Sequence, residues 1–222
     1  MDIDLFKLKG KTAMIIGGGQ GLGESSARYL ATAGCDIAVV DIDAERAQNV
    51  CDTITSMGQR AIPIIADVLD SNEIPRVFSE AEKSLGRLDV LVTVVGGSKV
   101  RGLLEMTDEE WDRDQTRNLR YVFQYMRAAA KSFIQQGVPG SIVVITTGGA
   151  LRSMPFRFAY GAAKAGLIHL VKSTAVELGE YNIRVNAITP GITVSPSSAD
   201  RINEEAFAEE IRKIPSGRLG TP

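Results

Sequence analysis

The sequence predicts a doubly wound α/β fold, in which helices cover both faces of a parallel β-sheet. Six short apolar runs typical of buried strands alternate with stretches of helix length, and a glycine-rich turn follows the first run. The 222 residues, 44% of them hydrophobic, suit one domain with one substantial core. We therefore expect a single domain that spans residues 1–222.

The alternation favours crossover connections, because parallel strands are joined by helices that pass over a face of the sheet. The predicted strands are residues 12–17, 37–41, 61–66, 88–95, 141–147 and 183–189. Four glycines stand where helical patterns end, as C-terminal caps would: Gly34, Gly58, Gly86 and Gly137. Residues 107–110 read as a capping box that opens a long helix.

Bulk composition excludes several classes of function. The formal net charge of -2 and the pI of about 5.6 provide no basic surface for nucleic acid or for an anionic membrane. No apolar run approaches the ~20 residues of a membrane span, and Asp2 and Asp4 stand where a secretory signal carries basic residues. We expect a cytoplasmic protein. Two cysteines and one histidine predict neither a disulfide framework nor a metal site.

The glycine-rich turn predicts a phosphate site. Gly17, Gly21 and Gly23 let the chain turn tightly out of a strand and let a phosphate approach main-chain N–H groups at a helix N-terminus. This spacing alone is equally compatible with a structural turn. Asp41 adds a second feature, because it ends the next strand ~20 residues later, where a dinucleotide-binding unit places its ribose-binding acid. The pair indicates a Rossmann-like fold.

A second pair of residues suggests proton transfer. Tyr160 and Lys164 are four residues apart, so both project from one face of a helix, and an adjacent ammonium stabilises a phenolate. Taken alone, the pair is more often a surface contact than a catalytic one. Asn118 interrupts the apolar face of the long helix, which is typical of a satisfied buried amide or of a functional group.

In combination these features resemble the classical short-chain dehydrogenases/reductases, from about Leu8 to the last residue. The supporting motifs are Gly17-x-x-x-Gly21-Leu22-Gly23, Asp67-Val68, Asn118, Tyr160-x-x-x-Lys164 and Asn186-x-x-x-Pro190-Gly191. The resemblance implies hydride transfer between a nicotinamide and a carbinol or carbonyl carbon. It assigns proton exchange to Tyr160, a lowered tyrosine pKa to the charge of Lys164, and a water-mediated proton relay to Asn118.

The resemblance also implies the binding sites. Its cofactor residues here are Gly17, Gln20, Gly21, Leu22, Gly23, Asp41, Ile42, Asp67, Val68, Gly96, Tyr160, Lys164, Pro190, Gly191 and Thr193. The cofactor is expected to be NAD(H), because Asp41 would repel the 2′-phosphate of NADP(H) and Gln20 supplies no cation for it. Its substrate residues are Leu151, Met154 and Phe156, which suggest an apolar secondary alcohol or ketone. Arg152 and Arg157 could pair with a carboxylate, so a substrate that carries one is an open alternative.

Three departures from the family pattern are visible. Thr147 stands where the family has its catalytic serine; its hydroxyl can still donate, while its methyl group narrows the pocket. Ile16 and Val94 replace a hydrogen-bonded threonine and asparagine, and we expect them to form an apolar contact. The sequence stops at what resembles the start of the penultimate helix. The final strand and helix are therefore expected to be missing, and the expected homodimer or homotetramer is undetermined.

The leading hypothesis is an NAD-dependent alcohol dehydrogenase or ketone reductase, with residues 192–213 as a candidate substrate lid. Reduction of a 3-oxoacyl group on a carrier protein or on CoA is the alternative within the enzyme class. A catalytically weak NAD-binding sensor or scaffold is the alternative outside it. Turnover that depends on Tyr160 would discriminate between the two classes.

Overall fold

A computed structural model describes residues 6–194, 208 and 211–222. It contains a sheet of six parallel strands in the order β3-β2-β1-β4-β5-β6. The strands are β1 Thr12–Ile16, β2 Asp36–Asp41, β3 Ala61–Ile65, β4 Val90–Thr93, β5 Ser141–Ile145 and β6 Arg184–Ile188. The predicted fold and all six predicted strands are confirmed. The order reverses direction between β1 and β4, and a ligand crevice forms at such a switch point.

In the part of the chain that the structure describes, six named α-helices connect and cover the strands. They are α1 Gly21–Thr32, α2 Ala44–Ser56, α3 Ile74–Leu85, α4 Asp108–Gln115, α5 Tyr121–Gln136 and α6 Phe158–Glu177. The predicted cap of the long helix is present, since the Glu110 N–H donates to Thr107 Oγ1 at 3.3 Å. That helix is not uniform, however. A π-helical turn, Thr116–Arg120, separates α4 from α5 and contains Asn118.

The core consists of one apolar cluster on each face of the sheet. Ile16 belongs to the larger cluster, and Val94 packs against the smaller one on the opposite face. The expected side-chain contact between Ile16 and Val94 is therefore wrong. Ile16 is paired in register with Thr93, and successive residues of a strand point to opposite faces. The two residues meet only through the backbone, where the Val94 N–H donates to the Ile16 carbonyl at 3.0 Å.

Within the described residues, Cys35 and Cys51 form no disulfide and are buried in the smaller cluster, as small packing residues. Within the described part of the chain, no helix is both long and apolar enough to cross a membrane. The same residues bring together no group of three or more His, Cys, Asp or Glu that could hold a metal ion. The predicted lid, residues 192–213, lies mostly outside the described residues.

Candidate active site

The glycine turn is tied to the end of the neighbouring strand. The N–H groups of Gly17 and Gly18 both donate to the Val40 carbonyl, at 2.8 and 3.1 Å. Gly17 has a φ of +83°, which a residue with a Cβ rarely adopts. Helix α1 then begins after Gln20, whose side chain makes no capping hydrogen bond. The first N–H groups of α1 therefore have no side-chain cap and suit a phosphate.

Two glycines in the turn leave no room for a side chain. A Cβ on Gly23 would lie 1.9 Å from the Gly17 carbonyl oxygen, so helix α1 could not pack so close to the turn. A Cβ on Gly19 would lie 2.7 Å from Asp41 Oδ2. Gly23 is thus a packing residue beneath the turn. Gly19, which the sequence motif does not include, lets the turn approach Asp41.

Asp41 is held firmly at the end of β2. Its Oδ2 accepts a hydrogen bond from the Gly19 N–H at 2.9 Å, and its Oδ1 accepts one from the Asp43 N–H at 3.1 Å. Arg46 Nη2 donates to the same Oδ1 at 2.8 Å. Hydrogen bonding to Asp41 raises the pKa of Arg46 further, so the pair is ionic. The carboxylate therefore has a fixed orientation toward the crevice.

A cleft of about 500 Å³ lies at the switch point of the sheet. Ten of the predicted cofactor residues line it: Gly17, Gln20, Gly21, Leu22, Asp41, Ile42, Asp67, Val68, Gly96 and Thr193. Five do not line it: Gly23, Tyr160, Lys164, Pro190 and Gly191. Of these, Pro190 directs its carbonyl to the Gly148 N–H at 3.1 Å, next to Thr147.

Two arginines in the cleft wall were missed by sequence reasoning. Arg46 lies beside Asp41, and Arg117 lies in the π-helical turn, close to Gly97. The Asp43 side chain caps helix α2 by accepting a hydrogen bond from the Arg46 N–H. This places Arg46 in the first turn of α2, shortly after the end of β2. That capping motif could have signalled Arg46. No signal in the sequence marks Arg117, since its place depends on the π-helical turn.

Asn118 is fully buried and bonded to the loop that follows β4. Its Oδ1 accepts from the Gly97 N–H at 3.0 Å, and its Nδ2 donates to the Gly97 carbonyl at 2.8 Å. Nδ2 also donates to the Asp114 carbonyl at 2.9 Å. The turn around Asn118 is π-helical, since the Tyr121 N–H donates to the Thr116 carbonyl, five residues earlier. The amide therefore fixes the loop that forms one wall of the cleft.

Lys164 is a buried ammonium on α6. It is 2% exposed, and its Nζ donates to the Ile145 carbonyl at 3.0 Å. Burial lowers the pKa of Lys164 to about 8, because a charge loses its hydration there. The group can thus change protonation state near neutral pH.

The groups that shift the pKa of Tyr160 differ from those expected from the sequence. Burial raises the pKa of Tyr160, while hydrogen bonding with Thr147 and the positive charge of Arg157 oppose that rise. Lys164 is not among the groups that lower this pKa; its Nζ lies 5.9 Å from the centre of the Tyr160 ring. The expected pKa reduction by the charge of Lys164 is absent from this geometry. Thr147, which replaces the expected serine, and Arg157 are the groups that lower the pKa of Tyr160 here, with the larger effect from Thr147.

Gly96 connects the cleft to the buried polar groups. It lines the cleft, and a Cβ at this position would lie 3.0 Å from Asn118 Oδ1 and 3.3 Å from Lys164 Nζ. A side chain at this position would press on both groups, so the glycine lets them lie next to the cleft wall. Tyr121 supports the same wall, since its hydroxyl donates to the Val95 carbonyl at 2.7 Å.

A second cavity of about 460 Å³ lies beside the start of α6. It is lined by Gly102, Leu103, Arg152, Ser153, Met154, Pro155, Phe156, Phe158 and Gly161. Of the predicted substrate residues, Met154 and Phe156 line this cavity, while Leu151 lies outside it and is exposed. The lining is mainly apolar, with Arg152 as its charged member.

Comparison with known proteins gives consistent matches. A family model described as short chain dehydrogenase matches residues 11–206. The 2-dehydro-3-deoxy-D-gluconate 5-dehydrogenase of Escherichia coli (strain K12) is 34% identical over 223 residues, which cover 100% of this chain and 87% of that protein. A 3-oxoacyl-(acyl-carrier-protein) reductase of Thermotoga maritima is 31% identical over 97% of this chain and 87% of its own.

A solved structure is also similar throughout. It is a 7α-hydroxysteroid dehydrogenase complexed with NADH and 7-oxo glycochenodeoxycholic acid, with a TM-score of 0.93 and 32% identity. The match covers 99% of this chain and 86% of that one.

Proposed function

Because this chain belongs to the short-chain dehydrogenase family, a family of oxidoreductases, we propose that it transfers a hydride between NAD(H) and a secondary alcohol or ketone. The observation that carries the proposal is the position of Gly96. It lies in the wall of a dinucleotide-sized cleft and at the same time against Asn118 and Lys164. A binding site and a set of proton-transfer groups therefore share one wall.

The cleft fits a nicotinamide dinucleotide. The close approach of Gly19 to Asp41 and the uncapped start of α1 provide a carboxylate and N–H donors where a ribose and a pyrophosphate are bound in such folds. Asp67 and Val68 would lie along the adenine, and Thr193 near the nicotinamide. When bound, the nicotinamide would supply or accept the hydride.

The residues around Tyr160 would move the proton. The Tyr160 hydroxyl would exchange a proton with the substrate oxygen, and Thr147 would hold that oxygen and the phenolate by hydrogen bonding. The Lys164 ammonium, with its pKa near 8, would return the proton to Tyr160. Asn118 would hold the loop at Gly97 and pass the proton outward through water.

Asp41 supports NAD(H) over NADP(H). Its carboxylate is oriented into the cleft, where it can accept a hydrogen bond from a ribose hydroxyl, and it would repel a 2′-phosphate. The apolar lining around Met154 and Phe156 supports an apolar substrate. The Thermotoga maritima relative supports 3-oxoacyl reduction as the second candidate. A homodimer or homotetramer and a cytoplasmic location stay predictions.

The test is NADH oxidation against a panel of ketones that includes 3-oxoacyl thioesters. Tyr160→Phe is expected to reduce turnover by about a hundredfold to ten-thousandfold while leaving NADH binding intact, because only the transferable proton is lost. Tyr29→Phe, on the exposed side of α1, is the matched control and should keep wild-type turnover. NADH binding without turnover of any ketone or reverse-reaction alcohol would favour the sensor or scaffold instead.

A further inference from the structure

The part of the chain that carries the candidate catalytic residues has an excess of positive charge. Residues 115–176 contain eight Lys and Arg and no Asp or Glu, although the whole chain has a formal net charge of -2. All four candidate catalytic residues lie in this acid-free stretch, and so does most of the wall of the second cavity. A cleft lined by charge of one sign attracts ligands of the opposite sign. The stretch therefore favours an anion at the second cavity.

Arg152 is the charged residue in the wall of that cavity. It directly follows the short turn Gly148–Leu151, and it is exposed. The wall around it is mainly apolar, with Leu103, Met154 and Phe156 among its members. Exposed arginines are usually hydrated, but apolar walls lower the local dielectric and strengthen the attraction of a guanidinium for an anion. Its place in the cavity distinguishes Arg152 from an ordinary loop arginine.

Neighbouring cations have acidic partners, whereas Arg152 has none among the described residues. Lys99 Nζ and Arg101 Nε lie 3.3 and 3.4 Å from Glu110 Oε1. No described carboxylate forms an ion pair with Arg152, and no described residue accepts a hydrogen bond from its side chain. A guanidinium has five N–H donors in a planar fork that matches a carboxylate. The donors of Arg152 are therefore available to a ligand.

The backbone connects Arg152 to the catalytic groups. The Arg152 N–H donates to the Gly149 carbonyl at 3.4 Å, and the Gly149 N–H donates to Thr147 Oγ1 at 3.2 Å. Gly161, which follows Tyr160 in the chain, lines the same cavity as Arg152. A ligand that is bound to Arg152 can thus extend along the cavity toward Thr147 and Tyr160.

We propose that Arg152 binds a carboxylate of the substrate, so that the substrate is an oxo acid or a hydroxy acid with an apolar body. This inference deepens the proposed function and rests on it. The apolar body lies along Met154 and Phe156, and the reacting oxygen lies at Tyr160. Two parallel hydrogen bonds from Arg152 hold the carboxylate, whose single charge one guanidinium neutralises. The acid-free stretch attracts the anion, and Arg152 sets its orientation.

The test compares each acid with its own neutral analogue. The full chain is assayed with NADH against a series of aliphatic oxo acids that differ in the spacing of ketone and carboxylate, each paired with its primary amide. The wild-type kcat/KM should be about tenfold or more higher for the preferred acid than for its amide. Arg152→Gln should remove that difference and leave amide turnover unchanged. Arg152→Lys should restore part of it, because an ammonium lacks the planar fork.

Arg120→Gln is the matched control. It removes one positive charge of the same stretch at an exposed position outside the cleft and the second cavity. The ratio of acid to amide turnover should change by less than about twofold, since a distant exposed charge is screened by salt. An equal loss for acid and amide in Arg152→Gln, or a wild-type preference for the amides, overturns the inference, whereas the turnover itself upholds the proposed function.

A binding measurement separates the inference from the proposed function. Medium-chain fatty acids and their amides, which carry no ketone, are titrated calorimetrically into the full chain with and without NADH. A preference for the acids that Arg152→Gln abolishes supports the inference even if no ketone is turned over, in which case the proposed function fails. If the acids bind no better than the amides while neutral ketones are turned over, the inference fails and the proposed function stands. If the chain neither prefers the acids nor turns over any ketone, both fail.

Discussion

Two buried charges lie near the carboxyl ends of the parallel strands, Asp41 at the end of β2 and Lys164 against the end of β5, and their hydrogen bonding is very different. Asp41 ends β2, is 6% exposed and accepts three hydrogen bonds, one of them from a paired arginine. Lys164 projects from α6, is 2% exposed and, among the described residues, makes a single hydrogen bond to the Ile145 carbonyl.

The difference shows what each region is built for. The surroundings of Asp41 replace the water that its charge has lost, so the acid is fixed before any ligand binds. The surroundings of Lys164 do not, and the loss of hydration lowers the pKa of its ammonium to about 8. We therefore expect the charge of Asp41 to stabilise the fold and the charge of Lys164 to destabilise it, in exchange for a group that can gain or lose a proton.

The largest effect is expected from Lys164→Met. Turnover should fall by about a thousandfold, because the proton source for Tyr160 is lost. The free energy of unfolding at neutral pH should rise by about 2 kcal/mol, since removing the buried charge gains more than the hydrogen bond to Ile145 contributed. Chemical denaturation and turnover of one preparation measure both.

Lys172→Met is the matched control for that substitution. Lys172 lies on the exposed side of the same helix, so its replacement should change neither turnover nor stability. A Lys164→Met variant that is less stable than the wild-type chain would show that the ammonium is a net stabilising group.

The second-largest expected effect is a pH dependence of the free energy of unfolding that is caused by the titration of Lys164. The pKa of this lysine is lower in the folded state, at about 8, than its ordinary value of 10.5. Below pH 8 the folded state carries the full cost of the buried charge. As the pH rises toward 10.5, the unfolded chain binds more protons and the folded state gains by up to about 3 kcal/mol.

The measurement is the difference in free energy of unfolding between the wild-type chain and Lys164→Met, taken at several pH values. Subtraction removes the tyrosines, which also titrate at the alkaline end. The stability advantage of Lys164→Met should shrink as the pH rises through that window. A stability advantage of Lys164→Met that stays constant with pH would contradict the lowered pKa of Lys164.

Asp41→Asn should have the opposite sign to Lys164→Met. The free energy of unfolding should fall by about 2 kcal/mol, because Arg46 loses its partner and the N–H groups of Gly19 and Asp43 lose a charged acceptor. Asp52→Asn on the exposed side of α2 is the control. If Asp41→Asn left the free energy of unfolding unchanged, the expected difference in stability between the surroundings of Asp41 and those of Lys164 would be contradicted.

Thr147→Ser is the smallest expected change. The hydroxyl that stabilises the Tyr160 phenolate is kept and one methyl group is removed, so turnover should stay within about threefold of wild type. Turnover of larger ketones should rise more than turnover of smaller ones, because the loss of the methyl group widens the pocket. A loss of turnover beyond tenfold, measured on the same ketone panel, would show that the methyl group positions the hydroxyl.

The sequence predicted the structure correctly where a local pattern is compatible with only one kind of structure. Alternating apolar runs predict parallel strands with crossover helices, and the positions of Gly17, Gly21 and Asp41 follow from the strand ends. It failed for Ile16 and Val94, because an exchange of two family residues does not reveal the face of the sheet on which each side chain lies. It also failed for the pKa of Tyr160, because burial depends on residues distant in the sequence.

Sequence motifs identified the family, and the alternating apolar runs predicted the sheet with its crevice. Asn118, Tyr160 and Lys164 became candidates through residue type and spacing, whereas Thr147 became one only through the resemblance to the family. Only the tertiary structure decided how their charges are balanced. The pairing of Arg46 with Asp41, the π-helical turn around Asn118 and the burial of Lys164 each depend on how the elements pack. The physical reason is that hydration and distance between charges are properties of the packed chain, which no local spacing encodes.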